Sequence, residues 1–272
     1  MQHRGAAFWL QLAFVLLVCA FLIVPVLMSM LAGITRNYLL GVQGGLTFDW
    51  VVKVWQDYRQ AIFLSLQIAL ACLVCTLILG VPAAYVLARR QTALTRAIEE
   101  LLVMPVAVPG IATALALIVT YGGFGQFRSS WLFILAGHVL FTLPFMVRSV
   151  LAVMSSIDMT SLEEGARSLG AGFARRFFGV ILPNCRPGLV AGSLMVVTLS
   201  LGEFNMTLLL HTPLTQTLPV GLADTYASLR LEVGSAYTLV FFVIIIPLLV
   251  AMQWVAARST RKPPLAAGKP AQ

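Results

Sequence analysis

One acidic side chain lies deep within an apolar run of this sequence. Glu203 falls in the second half of the run over residues 188–210, where an ionisable group is costly and usually faces a cavity or a partner. An ionised carboxylate there could attract a cation that moves along a pathway. A neutral carboxylic acid could instead form a hydrogen bond between helices. The residue type and its position leave both roles open, so Glu203 is a candidate pathway residue.

Other residues that could bind a metal or a nucleotide, or take part in redox chemistry, lack the further residues that such sites need. Cys72 and Cys75 form a C-x2-C pair inside an apolar run, without a second pair or a nearby histidine, so we predict small buried side chains rather than a metal or redox site. His138 is predicted to be buried and hydrogen-bonded, with a kink at Pro144 in the same run. None of the lysines stands in a G-x4-G-K-[ST] phosphate-binding loop. We therefore predict no catalytic residue, no metal site and no cofactor on this chain.

A polar segment over residues 155–187 separates two apolar runs and has residues at fixed spacing. Three intervals, of three, nine and one residues, separate Glu164-Gly165-Ala166, Gly170, Val180 and Leu182-Pro183. An ordinary amphipathic loop lying on the inner leaflet gives no reason for this register. A helix-turn-helix that presents an aromatic side chain to a groove on another protein would explain it.

Local sequence signals predict two short helices within this segment. Thr160 or Ser161 is predicted to cap the first helix, which Gly170 and Gly172 then end. Residues 173–178 are predicted to form the second helix. Its aromatic face is made by Phe173 and Phe177, four residues apart, with Arg176 beside it.

The composition indicates a membrane protein. The 272 residues are 60% hydrophobic and 10% charged, and the mean hydropathy is +0.93. Soluble domains carry about 25% charged residues, so this chain could not cover a soluble surface, and we predict an all-α polytopic membrane protein. The net charge of +8 is divided among loops, which argues against a nucleic-acid partner and for contact with membrane lipid.

Six apolar runs are long enough to cross the hydrocarbon core as helices. They cover residues 8–31, 62–88, 101–120, 131–151, 188–210 and 235–257. Pro105 and Pro109 interrupt the first half of the third run. The tail over residues 258–272 is predicted to be disordered. The whole chain, residues 1–272, is thus expected to be a single transmembrane domain.

The distribution of Lys and Arg sets the expected orientation. Thirteen of the 18 basic residues fall in the segments that are cytoplasmic when the N-terminus is inside, and five fall in the external ones. Basic residues favour the cytoplasmic side. Both termini are therefore predicted to be cytoplasmic, as is the segment over residues 155–187.

The register of that segment resembles the EAA loop of permease subunits from binding-protein-dependent ABC importers, whose consensus is E-A-A-x3-G-x9-I-x-L-P. Gly165 replaces an alanine and Val180 an isoleucine, and the other positions agree. The stretches 80–89 and 104–110 resemble the second-span exit and the proline-broken third span of these permeases. The stretches 200–204 and 217–220 resemble the subgroup that imports polyamines, ferric ion, sulfate and phosphonates.

The resemblance implies the type I ABC importer permease fold in a bacterial inner membrane. It implies as partners two ATP-binding subunits, which carry the ATP and Mg, and a periplasmic or lipid-anchored substrate-binding protein. It also implies a second permease subunit, for which a paralogue is favoured over a copy of this chain. It assigns an ATPase-coupling role to Glu164, Gly165, Ala166, Gly170, Phe173, Arg176, Phe177, Val180, Leu182 and Pro183, and it places Pro105, Pro109 and Glu203 near the translocation pathway.

The cargo and the class of transporter have alternatives. A polyamine such as spermidine or putrescine is the favoured substrate, with 2-aminoethylphosphonate or ferric ion next. The alternative class is a secondary transporter driven by an ion gradient, but such carriers usually contain several intramembrane charges and paired broken helices. A membrane-embedded enzyme would need a cluster of His, Asp and Glu that the sequence does not suggest.

Overall fold

The computed structural model describes residues 6–90 and 92–260. Regular structure in these residues is helical, apart from one β-bridge between Thr35 and Leu46. The helices in chain order are α1 (Ala6–Ala32), α2 (Asp49–Arg89), α3 (Ala93–Ala107), α4 (Gly110–Tyr121), α5 (Gly125–Ser129), α6 (Trp131–Ser156), α7 (Met159–Ser168), α8 (Phe173–Arg176), α9 (Leu182–Asn184), α10 (Arg186–Gly202), α11 (Asn205–Leu210), α12 (Leu218–Ala227) and α13 (Leu231–Thr260). A 3-10 turn lies at Gly41–Gly44, and a π-helical turn at Phe177–Ile181 joins α8 to α9.

Four described helices are long and apolar enough to cross a membrane individually: α1, α2, α6 and α13. Two bent helix pairs raise the number to six if each pair is one span. In the first pair α3 and α4 are bent by 102°, and in the second the stretch Phe173–Asn184 and α10 are bent by 73°. The described helices thus allow four to six spans.

Two of the long helices extend beyond their predicted ends. α2 starts at Asp49 rather than at residue 62, because neither glycine nor proline interrupts the chain before Gly80. Its 41 residues make it about 60 Å long, twice the hydrocarbon thickness of about 30 Å, so it extends beyond the membrane. α13 continues to Thr260, so the predicted disordered tail is helical at residues 258–260, while residues 261–272 lie outside the described part of the chain.

The third and fifth apolar runs are interrupted helices. The break in the third run was expected from its prolines, whereas the fifth run was predicted as one helix and its break was not expected. The chain is extended at Val108, because the residue before a proline disfavours the helical conformation, and Pro109 then precedes α4. In the fifth run, α10 ends at Gly202 and α11 begins at Asn205. Glu203 therefore lies in a break between two helices rather than in the middle of one.

The larger of two compact units comprises residues 61–219 and 246–260. Its central contact is between α6 and α10, which approach closely because Gly188 and Gly192 face α6. A Cβ added at Gly188 would lie 2.6 Å from the Ser149 carbonyl oxygen. Next to this contact, α4 packs against α11 around Phe133 and Met206, which are fully buried.

The smaller unit comprises residues 6–60 and 220–245. Gly33 packs directly against the backbone at Ser235 and Ala236. The rings of Tyr58 and Tyr237 meet edge to face at 4.9 Å, and Arg230 donates a hydrogen bond to the Tyr58 hydroxyl. These contacts join α1, the start of α2 and the first part of α13.

Candidate functional site

The polar segment begins with a capped helix, and its cap is not the predicted one. The Asp158 carboxylate accepts hydrogen bonds from the Ser161 backbone N–H at 3.1 Å and the Ser161 hydroxyl at 2.6 Å. Asp158, rather than Thr160 or Ser161, therefore caps α7. These bonds, the side-chain bond first, lower the pKa of Asp158. The cap is thus fully formed above the ordinary pKa of an aspartate and is lost as the pH falls through the lowered value.

The chain reverses direction at Gly170, as the sequence predicts. Gly170 has φ +78°, in the left-handed region that glycine reaches without strain. The N–H of Ala171 then donates to the carbonyl of Ala166 at 3.0 Å, so a carbonyl at the end of α7 is satisfied. Gly172 has φ −67°, which any residue adopts, and it precedes α8.

The second helix is longer and less regular than predicted. α8 continues through the π-helical turn into α9 instead of ending at residue 178. The rings of Phe173 and Phe177 are stacked with centroids 6.0 Å apart, so they share a face as predicted. Phe177 is buried whereas Phe173 and Phe178 are exposed. The buried Nε of Arg176 has no hydrogen-bond partner within the described residues.

A polar clamp fastens this segment to the end of α2. The Tyr85 hydroxyl donates to Oε1 of Glu163 at 2.5 Å, and Arg89 approaches Oε2 at 3.3 Å. Arg89 also donates to the Tyr85 hydroxyl at 3.0 Å. The Tyr85 ring packs edge to face against Phe177 at 5.2 Å. We call Tyr85, Arg89 and Glu163 the α2 clamp.

Sequence reasoning selected Glu164 and missed Glu163. Glu163 is buried, while Glu164 is exposed and has no side-chain partner in the described part of the chain. The helical phase was the available signal, because Met159 and Glu163 are four residues apart on the inward face of α7. Register alone could not separate two adjacent glutamates, one of which is buried and the other exposed.

Three large apolar side chains of the segment are exposed. Leu169 is 88% exposed, Phe178 64% and Phe173 56%. We call these three side chains and the exposed Glu164 the coupling face. The other residues assigned a coupling role lie elsewhere: Gly165 is exposed, and Ala166, Val180, Leu182 and Pro183 are half-buried.

Glu203 caps a helix rather than standing alone in a span. Its Oε1 accepts a hydrogen bond from the Met206 N–H at 2.5 Å, in the first turn of α11. A Cβ added at Gly110 would lie 3.4 Å from the same oxygen, so the carboxylate is next to the start of α4. The structure thereby brings Glu203 close to the break at Pro109, whereas Pro105 lies inside α3, a turn earlier.

A buried histidine connects three helices near this break. Nδ1 of His138 lies 2.8 Å from the Ser200 hydroxyl, and Nε2 lies 2.8 Å from the Thr207 hydroxyl. The prediction of a buried, hydrogen-bonded His138 is confirmed. No group of His, Cys, Asp and Glu that could hold a metal ion occurs in residues 6–90 and 92–260. Cys72 and Cys75 lie on α2 as free thiols.

Comparison with known proteins gives consistent results. Residues 77–261 match the family described as binding-protein-dependent transport system inner membrane component. The chain is 29% identical over 219 residues to the molybdenum transport system permease protein ModB of Haemophilus influenzae, covering 74% of this chain and 95% of that protein. It is 28% identical over 206 residues to the sulfate transport system permease protein CysW of Synechocystis, covering 70% and 74%.

The fold also has a solved counterpart. A chain of the bacterial alginate ABC transporter, in complex with an alginate pentasaccharide-bound periplasmic protein, superposes with a TM-score of 0.74 at 16% identity. The superposition covers 93% of this chain and 96% of that chain. At this level of identity the similarity concerns the fold alone.

Proposed function

The chain belongs to the family of binding-protein-dependent transport system inner membrane components, and on that premise we propose that it forms the pathway of an ABC importer for a small oxyanion of the molybdate or sulfate kind. The observation that carries the proposal is the similarity to a molybdenum permease over nearly the whole of that relative's length, with a sulfate permease also similar. The polyamine, aminoethylphosphonate and ferric ion expected from short motifs have no support among these relatives. Oxyanion import therefore replaces them.

Uptake measurements would test the cargo. The chain would be produced with its cognate permease, ATPase and binding protein in cells that lack their own molybdate and sulfate importers. We expect ATP-dependent uptake of labelled molybdate or sulfate that the other oxyanion reduces and spermidine does not. Uptake of spermidine without uptake of either oxyanion would refute the proposed substrate class, and uptake driven only by an ion gradient would favour a secondary transporter.

We further propose that the coupling face contacts an ATP-binding subunit. The coupling face consists of three exposed apolar side chains and one exposed carboxylate. Such side chains are suited to a groove on another protein. The α2 clamp would hold the segment that carries these side chains in place. Two ATPases, a paralogous second permease and a substrate-binding protein complete the importer, and the ATP and Mg belong to the ATPases.

Six spans with both termini in the cytoplasm are part of the same proposal. The charge distribution supports this orientation. Single cysteines at positions 90 and 128, in a cysteine-free background, would report it through an impermeant thiol reagent. Labelling of position 90 from outside intact cells would reverse the orientation.

Glu203→Gln should transport nearly as well as the wild type. The amide oxygen still accepts the Met206 N–H, so the cap on α11 is kept while the charge is removed. Glu203→Leu removes the cap, at about 0.5–2 kcal/mol, and should reduce uptake per assembled complex about 2- to 30-fold. Complete loss of uptake in Glu203→Gln, with normal assembly, would mean that the charge itself acts in the pathway.

Gly170→Ala should impair coupling, whereas Gly165→Ala should not. Neither added Cβ meets an atom within 4 Å, so space is equal at both positions. Only Gly170 has a positive φ, where a side chain costs about 1–2 kcal/mol. We expect a reduction of about 5- to 30-fold in substrate-stimulated ATP hydrolysis for Gly170→Ala and unchanged hydrolysis for Gly165→Ala. Equal activity of the two variants would show that the turn does not position the coupling face.

A further inference from the structure

A polar cavity lies where three helices end or begin on the same side of the larger unit. It encloses about 430 Å³ next to the last turns of α2 and α6 and the first turns of α3. Arg96 and Arg148 line it together with the carboxyl group of Glu99 and two hydroxyls, those of Thr95 and Ser155. α3 packs against α6, which brings the two arginines to one cavity although they are far apart in the chain.

The two arginines form no ion pair with an acidic side chain in residues 6–90 and 92–260. No carboxylate of the described residues lies within salt-bridge distance of either guanidinium, Glu99 included. Arg148 is moreover part of α6, one of the helices that can cross the membrane by itself. A charged side chain in such a helix usually pairs with another charge or lies at an interface. Both side chains are exposed and can therefore bind an external anion.

The remaining lining residues indicate a lipid boundary rather than an aqueous site. Leu87, Leu151 and Ala152 make the apolar part of the wall. Large apolar side chains, among them Leu94 and Leu101, are exposed along α3. The cavity thus combines cationic groups at helix ends with apolar surface toward the helix interiors. This lining matches a phospholipid, whose charged phosphate lies next to its apolar acyl chains.

We propose that this cavity binds the phosphodiester headgroup of an anionic phospholipid. Arg96 and Arg148 donate to the phosphate oxygens, and Glu99 accepts from the hydroxyls of a glycerol headgroup. A free oxyanion offers similar chemistry to the arginines but fills only a small part of 430 Å³ and leaves Glu99 without a donor. The lipid would hold α3 against α6 at the side of the membrane where the polar segment over residues 155–187, here called the coupling segment, starts.

Native mass spectrometry of the delipidated, assembled complex would test this site. Phosphatidylglycerol and phosphatidylcholine would be added in turn, and bound lipid counted. Arg96→Gln/Arg148→Gln should weaken phosphatidylglycerol binding about 30-fold, since each basic residue contributes about 1 kcal/mol to binding an anionic lipid. Lysine at both positions keeps the charges and should preserve most of the binding, which separates lost binding from misfolding.

A matched control removes the same charge elsewhere. Arg90 and Arg175 are exposed and line none of this cavity, so Arg90→Gln/Arg175→Gln should leave the preference for phosphatidylglycerol unchanged. An equal loss in this control would overturn the specific site and leave only general attraction. Displacement of the lipid by excess inorganic phosphate or sulfate would also overturn the proposal, because the site would then be one for free oxyanions.

Discussion

Glu163→Ala should impair both transport and substrate-stimulated ATP hydrolysis while the protein still reaches the membrane. The substitution removes the acceptor that Tyr85 and Arg89 share, so the α2 clamp is lost. Arg89 is 54% exposed and can be solvated again, whereas the buried Tyr85 hydroxyl keeps only its bond from Arg89. A hydrogen bond to a charged group contributes about 1.5–3 kcal/mol, which corresponds to a shift of about 10- to 150-fold toward a detached segment.

Two measurements on the same complex would check this expectation. Substrate-stimulated ATP hydrolysis should fall at least about tenfold, as follows from the lower limit of that energy. The distribution of distances between spin labels on the coupling segment and on α2 should broaden in the permease without its ATPases. A narrow, unchanged distance together with full hydrolysis would show that the clamp does not hold the segment.

Glu164→Ala is the matched control for this prediction. Its carboxylate is exposed and has no side-chain partner in the described residues, so its removal should leave the spin-label distance unchanged. If the coupling face contacts the ATPase, Glu164→Ala weakens association with that subunit. The two substitutions are thus expected to have different effects. Glu163→Ala should displace the segment, whereas Glu164→Ala should weaken its contact with the ATPase.

Gly188→Ala should strongly reduce the amount of folded protein. The new methyl group would lie 2.6 Å from the Ser149 carbonyl oxygen and 3.1 Å from Cα of Val150, both of them backbone atoms of α6. Close helix contact in membranes depends on such small residues, and overpacking costs about 1–3 kcal/mol. Because the α6–α10 contact is central to the larger unit, the helices cannot separate locally without disturbing the coupling segment that lies between them in the chain.

Alanine at the other glycines of α10 should reduce stability less than Gly188→Ala. At Gly192 the nearest atom to an added Cβ is the Met146 sulfur, at 2.8 Å, and this flexible side chain can move, so Gly192→Ala should be milder. At Gly202 no atom lies within 4 Å, and Gly202→Ala should be neutral. Gel filtration of fluorescent fusions after heating would rank the three variants. Equal thermal stability of all three would show that the close helix approach does not limit folding.

Much of the molecule follows from local sequence. Hydropathy alone indicates apolar helices, because a backbone in hydrocarbon must satisfy its own hydrogen bonds. The turn at Gly170 is equally local, since it depends on the dihedral freedom of one residue. The shared face of Phe173 and Phe177 follows from helical spacing. Fixed spacing between Glu164 and Pro183 was enough to indicate the family.

Other features depend on residues that are distant in the chain, and only the tertiary structure decided them. Glu163 is the clamp residue because α2 presents a tyrosine 78 positions earlier. Glu203 caps α11 because α10 ends at Gly202. Hydropathy does not reveal a break inside an apolar run. Arg96 and Arg148 share a cavity because α3 packs against α6. A local pattern determines which helices form, but the direction that each polar side chain faces depends on the neighbouring helix against which it packs.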